Sequence, residues 1–573
     1  MQTTSPAFVA AVALAVALSS SLASAHETQR RTELFNPGVG YAAEQPGPTA
    51  DPDAAPPLYD GLGSGMYKVT TVNPGAQAFF DQGLKLAWAF NHAEARRAFR
   101  HAQRLDRTCA MCFWGEAFVL GPNINDAMRD EAVAPAFEAI MRAGELADGA
   151  TEKEQALIEA LAARYSAEGQ QDRRTLNEAW AEAVGRVAAR FPDDANIKVL
   201  FADALMNLQP WDYWEADGET PKGRAGEIVA TLEQALAINP DMPAAIHLYI
   251  HAVEASSTPE RAEPFADRLR GAVPTAGHLV HMPAHIYARV GRHADSLAVN
   301  RDAISADEAM LEAMGESASP IYRYGYYPHN VHFLMVAAQN SGAAADALSA
   351  AAKLDAITSD AVSAELGWIQ AIRTAPYAAH AQFSEPEDIL ALPDPGNRFP
   401  FVKGYWLYAR GVAFAQLGRH DDAGAVVDAL TKLFETADLD SLEAQYVPAR
   451  TLLQIATHVV EARIEQSAGD LATAMHHLEQ AIALQDSISY MEPPYWYYPV
   501  RRTLGATQLM AGRPEAAIAS FRAALAEQAK NGWALWGLMQ AQLRAGDEEA
   551  EQTARQLEAV WVGDRSLLSL DRL

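Results

Sequence analysis

Histidine is concentrated in one stretch of this sequence. Eight of the sixteen histidines lie between His247 and His332, and their spacing is that of helix faces. His247, His251 and Glu254 stand at i, i+4 and i+7, and His278, His281 and His285 at i, i+3 and i+7, so each set forms one stripe on a helix. The stripes are in register, because 34 residues separate His247 from His281 and His251 from His285. A third set repeats the pattern, with 51 residues from His278 to His329 and from His281 to His332. Neutral imidazole is the commonest side-chain ligand of transition metals, and an i, i+4 pair offers two nitrogens to one ion. His247, His251, His278, His281, His285, His329 and His332 are therefore the candidate ligands, with Glu254 as a further ligand or a general base.

Seven imidazoles exceed one tetrahedral sphere. They suggest either one ion with outer histidines or two ions with about three ligands each. Nitrogen donors with hardly any thiolate favour copper or zinc, with iron and nickel behind. Any one of these residues alone reads more simply as a packed, hydrogen-bonded core histidine. Together they would leave many ring nitrogens in need of partners, which a metal supplies. Pro283 interrupts the second stripe, since proline is comfortable only in a first helical turn, so that stripe is only approximate. His293 follows Gly291 in a turn between helices and stands outside the set.

Weaker candidates surround the histidines. Trp211 and Trp214, in PWDYW, could wall a binding site or simply fill a join between helices. The tyrosine-rich run 322–327 reads as a flexible insertion beside the ligands, a lid or substrate wall carrying Tyr326. Arg323, within that run, and Arg289, one turn after His285, could orient an anionic substrate. Cys109 and Cys112 have the CxxC spacing, but Phe113 follows, so c-type haem attachment lacks its histidine and a local disulfide is the expectation. HLYIHAVE is not the zincin HExxH, and no GxSxG elbow or phosphate loop is present.

The elements that must position these groups are helices. From Asn73 onward apolar and alanine positions recur at helical spacing, broken by short Gly, Asn, Asp or Pro punctuation, and no run alternates as a strand does. The expected fold is all-α. Phe79, Gly83, Leu86, Ala95, Phe99 and Ala102 fall on one helix-turn-helix template, which recurs at Gly411, Phe414, Gly418, Ala423 and Val427, and again at Leu504, Gly505, Gly512, Ala517, Phe521 and Ala524. Small residues at fixed points let paired helices approach, and aromatic residues fill the groove between pairs.

These residues resemble the tetratricopeptide repeat, whose period is 34 residues. The phrases FDQGLKLAWAFNHAEARRAF, HLYIHAVE and HMPAHIYARVGRH are similar to a bacterial group of exported proteins of this repeat type. The resemblance implies a superhelix with insertions, in which the histidines line the concave groove. It divides the chain into a solenoid over 71–350 that carries the histidine-rich groove and a second over 351–573.

Residues 1–25 have an apolar core and end in Ala23-Ser24-Ala25, the pattern of a cleavable secretory signal, so a periplasmic or secreted protein is expected. Residues 26–70 are rich in Pro and Gly and read as a linker or wrapping arm. With 45 basic against 73 acidic residues and a net charge of −28, the chain is a poor partner for nucleic acid or an anionic membrane. No later stretch is long and apolar enough to anchor it in a bilayer. Two functions follow as expectations. One is a metal centre in the groove, serving an oxidoreductase, with copper favoured over a metal-dependent hydrolase, or a metal carrier. The other is a metal-free scaffold that binds a peptide or protein partner; a small molecule or peptide in the groove is the expected ligand, and the oligomeric state is left open.

Overall fold

A computed structural model describes residues 55–166 and 172–573. The signal segment and the first part of the arm lie outside the described residues. Those described form an all-α stack of helical pairs, with isolated bridges at Asn123–Asp126 and Trp214–Pro221 and no strand among them.

The pairing follows from the small and aromatic positions of the repeat. The first pair is Pro74–Trp88 and His92–Leu105, and Phe99 on its second helix is fully buried. A methyl group added at Gly83 would stand 2.8 Å from the Phe99 ring, and one at Gly115 of the next helix would be closer still. Glycine at both points lets one phenyl ring fill the space among three helices. Phe521 is seated in the same way between Gly505 and Gly537. Between these ends the segments read as irregular helices are Asp130–Glu145, Glu152–Ala162 and Arg173–Arg190.

The stack closes on itself. The turn after Trp88 reaches the Pro243–Val253 helix, where the Trp88 carbonyl accepts from His247 at 2.7 Å. At the other end Asn531 donates to Asn340 at 2.8 Å, Trp533 to the Gln339 carbonyl at 2.8 Å, and the Val562 amide to the Ser341 carbonyl at 3.0 Å. The described part of the arm is a strap: Tyr59 donates to Glu94, Thr70 to Glu154, and Thr275 to the Asp60 carbonyl. The middle of the sequence is thereby the interior of the molecule, and the histidines do not line an open channel.

Because Phe99 has no room to retreat, Gly83→Ala lowers stability by about 1–3 kcal/mol through overpacking. Gly424→Ala, at a helical glycine with nothing within 4 Å of the added methyl, is neutral or stabilising. Urea denaturation followed by circular dichroism of the two variants checks the contrast.

Candidate metal centre

Four helices bring the histidines together. Pro243–Val253 carries His247 and His251, Gly277–His281 carries His278 and His281, Pro283–Val290 carries His285, and Tyr327–Ser341 carries His329. The expected second stripe is split. Pro283 has no amide hydrogen, and the chain turns at Met282 into a new helix. His281 keeps its place beside His285, with their Nε2 atoms 2.8 Å apart, while His278 swings to His247, Nε2 to Nε2 at 3.1 Å.

Two triads result. The donor nitrogens of His247, His251 and His278 lie within 4.8 Å of one another, and so do those of His281, His285 and His329. The triads adjoin, since the rings of His251 and His285 are centred 5.4 Å apart. Phe90 covers the first, 4.5 Å from His247 and 5.4 Å from His278, and Phe333 the second, 4.7 Å from His281 and His285 and 4.9 Å from His329. Phe90 and Trp211 hold left-handed backbone angles, φ 55° and 63°, which bulky residues seldom adopt and which surrounding packing must enforce. Both place their rings against the first triad, Trp211 at 4.9 Å from His251.

Four of the six rings have their outer nitrogen held, and His278 Nδ1 has no partner. His247 Nδ1 donates to the Trp88 carbonyl at 2.7 Å, and His281 Nδ1 to Asn300 Oδ1 at 2.6 Å, the Asn300 amide being set by its own bond to the Ser296 carbonyl. Glu254, the residue after the Pro243–Val253 helix, accepts from His251 Nδ1 at 2.8 Å on one oxygen and from His285 Nδ1 at 2.7 Å on the other. Its carboxylate thus orients both rings. Glu492 also meets His285 Nδ1. Protonation at Nδ1 leaves the Nε2 lone pairs of His247, His251 and His281 directed inward, and His251 Nε2 has no hydrogen-bond partner. Such outer acceptors are what ligating imidazoles carry.

Burial, reinforced by neighbouring imidazoles, holds His247, His278, His281 and His329 well below the usual imidazole range. Burial also dominates at His251 and keeps it low against the pull of Glu254. His285 is the exception: burial opposes its charge, but Glu492 and Glu254 outweigh it and push the ring up to about 10. Burial and Glu254 hold Glu492 well above the carboxylate range; Glu254 is held well below it, against burial, by His285. The imidazolium proton thus lies where a cation between His281 and His285 would sit.

The remaining candidates fall in other places. His332 turns away to the Tyr497 hydroxyl at 3.1 Å and joins neither triad. Trp214 donates to the Ala252 carbonyl at 2.8 Å. Tyr326 packs 4.6 Å from His278, but its segment is no flexible insertion: 322–326 is a π-helical turn running into Tyr327–Ser341, with Tyr322 and Tyr326 buried. Arg323 donates to the Gly315 carbonyl, and Arg289 to the carbonyls of Glu254 and Ser256 while lying over the Tyr490 ring. Cys109 and Cys112 are joined in a disulfide at a helix start. Beside the second triad a cavity of about 310 Å³ is lined by His285, Phe333, Tyr490, Glu492, Tyr495 and Trp496 among others. Glu492, Asn300, Phe90 and Phe333 escaped the sequence reading; the one signal was a lone acidic residue in the aromatic run SYMEPPYWYY.

No family model matches the chain, and no curated protein does. Among solved structures it is similar to the human IFIT1 dimer with m7Gppp-AAAA, at 11% identity over 86% of this chain and 91% of that one, TM-score 0.29. Yeast Tom70 gives 13% identity over 86% and 94%, TM-score 0.28, and the P58(IPK) TPR domain 14% over 60% and 91%, TM-score 0.19. The described residues themselves form an all-α stack of helical pairs, and none of these proteins lends the chain a ligand. Among the described residues no helix is long and apolar enough to cross a membrane.

His293, outside the triads, donates from Nε2 to the Ala529 carbonyl at 3.0 Å across the seam between the two halves. Burial and Lys530 hold its imidazole down to about 4 against an ordinary 6.5. The native state therefore binds fewer protons than the unfolded chain between these values, and stability falls as pH drops from about 6.5 towards 4. The loss is on the order of 3 kcal/mol for this residue. In His293→Gln, which keeps a donor, the decline is shallower by that amount, as denaturation midpoints across pH will read.

Proposed function

We propose that the two triads hold a pair of transition-metal ions, three imidazoles to each, and that the chain is a metal-dependent oxidoreductase with copper the favoured metal. The observation that carries this reading is the facing of Nε2 atoms at 2.8 and 3.1 Å while outer acceptors hold Nδ1 of His247, His281 and His285. Bare lone pairs at that distance repel unless a proton or a cation stands between them. The ligand set is imidazole alone, and the Cys109–Cys112 disulfide lies on another element, so copper or zinc suits it better than a thiolate-seeking metal. Three protein ligands leave each ion an open position. Bound copper supplies one-electron chemistry with oxygen; bound zinc supplies an activated water.

The protein's own residues divide the remaining work. Glu254 has both oxygens engaged by imidazole N–H groups, so it orients and neutralises rather than taking a proton from substrate. Phe90, Phe333 and Trp211 exclude water. The cavity beside His285 and Glu492, walled by Tyr490, Tyr495 and Trp496, fits a small, largely apolar or aromatic substrate. Export belongs to the same proposal, and the disulfide supports it, because such bonds persist in oxidising compartments.

Metal analysis of protein purified from its own host without an affinity tag tests the reading. Two ions per chain are expected, with loss of both in the His251→Ala, His285→Ala double variant and a 10–100-fold weaker affinity in Glu254→Gln. Binding releases the His285 proton, so affinity rises with pH. Stoichiometric copper together with oxygen uptake in the presence of an aromatic substrate sustains the oxidoreductase reading. Protein that never carries stoichiometric metal returns the chain to the class of peptide-binding scaffolds.

A further inference from the structure

A second cluster of metal-binding character lies in the C-terminal half and shares no residue with the buried triads. The helices Ala449–Ala468 and Leu471–Asp486 pack as neighbours across a tight turn at Gly469 and Asp470. His458 and Glu461 stand one turn apart on the first, and His477 faces them from the second. His458 Nδ1 lies 3.0 Å from Glu461 Oε2, and His477 Nδ1 lies 2.9 Å from the same oxygen. All three donor atoms fall within 4.8 Å of one another. Ligands on a tetrahedral ion with bonds near 2.0–2.1 Å stand about 3.3 Å apart, so small rotations of these side chains bring all three donors onto one ion.

The simpler account is a carboxylate accepting two imidazole N–H bonds. His458 fits it, with a hydrogen bond to Glu461. His477 also pairs with the same oxygen, at 2.9 Å, but its ring is less well aligned for a hydrogen bond than that of His458. One carboxylate oxygen thus gathers two imidazole nitrogens from two helices, an arrangement that a shared cation suits. The setting favours a cation. A hollow of about 510 Å³ beside Glu461 and His477 is also lined by Asp421, Asp428 and Glu465, on a protein of net charge −28. The three side chains keep between 23% and 30% of their surface exposed, so the position is open to exchange with solvent, unlike the triads.

We propose that His458, Glu461 and His477 form a second, solvent-open site for a divalent ion of the zinc class. Two imidazoles and one carboxylate select zinc, copper or nickel over magnesium or calcium. Three protein ligands leave at least one position to water, which suits an ion that binds and leaves rather than one locked in place.

Zinc alone is the probe, titrated calorimetrically into the metal-free full chain. The His458→Ala, His477→Ala double variant is expected to bind one zinc ion fewer per chain than the wild type, and Glu461→Gln to bind that ion at least about 10-fold more weakly. The triad variant His251→Ala, His285→Ala retains the ion, so failure of one site is read separately from failure of the other. Millimolar magnesium leaves the titration unchanged. Equal zinc stoichiometry in the wild type and in His458→Ala, His477→Ala overturns the site, and so does displacement of the ion by magnesium, which would mark a diffuse acidic patch. Circular dichroism confirms that these part-exposed substitutions leave the fold intact.

Discussion

Glu254 accepts a hydrogen bond from an imidazole of each triad, and the rest of the interior is arranged around that one carboxylate. Its position is fully buried, where an unpaired negative charge would be prohibitively costly. Pairing with His285, whose ring is charged, removes that cost, and the bond from His251 fixes which nitrogen of that ring is bare. Arg289 adds a further tie by donating to the Glu254 carbonyl. One side chain thus locks the end of Pro243–Val253 to the face of Pro283–Val290. It also orients two rings that belong to different triads. Glu492, delivered from the segment before Val500, meets the same His285 nitrogen.

Burial on this scale needs a closed molecule, and a stack of helical pairs is ordinarily open. Here both ends turn inward: the turn at Trp88–Phe90 caps the first triad, and residues from Asn531 to Val562 seal against the helix that carries His329. Among the described residues, two of the four non-glycine residues with left-handed backbone, Phe90 and Trp211, press their rings on the first triad. That conformation costs of order 1–3 kcal/mol at each residue. The surrounding contacts must outweigh it, which ties the local strain to the shape of the site.

The helical stack was legible because it depends on local rules. Glycine at 83, 115, 505 and 537 is required by the rings of Phe99 and Phe521, and two of them, Gly83 and Gly505, mark the repeat in the sequence. Six of the seven proposed ligands were legible for the same reason, since repeats return equivalent points at fixed spacing. The partition of those six was not. Register suggested that His247 would stand beside His281 and His251 beside His285; the second pair adjoins, while His247 meets His278 instead. His332, three residues after His329 on the same helix, faces Tyr497 instead. Glu492 lies 207 residues beyond His285 and arrives through closure alone, which no local pattern encodes.

A solenoid is well suited to building such a centre. Successive pairs present the same face to the same side, so histidines placed at one point of the repeat accumulate along a line, and an interrupted helix bunches the line into two groups. What the repeat cannot provide is a wall on the open side. In this chain that wall comes from the two ends and from the aromatic segment around Glu492, which supplies both the cover and the second carboxyl group at His285. The cavity beside the second triad lies along that same cover, between His285 and the aromatic segment. Access to the centre and closure of the fold are therefore governed by one segment, and a change in its packing alters both together.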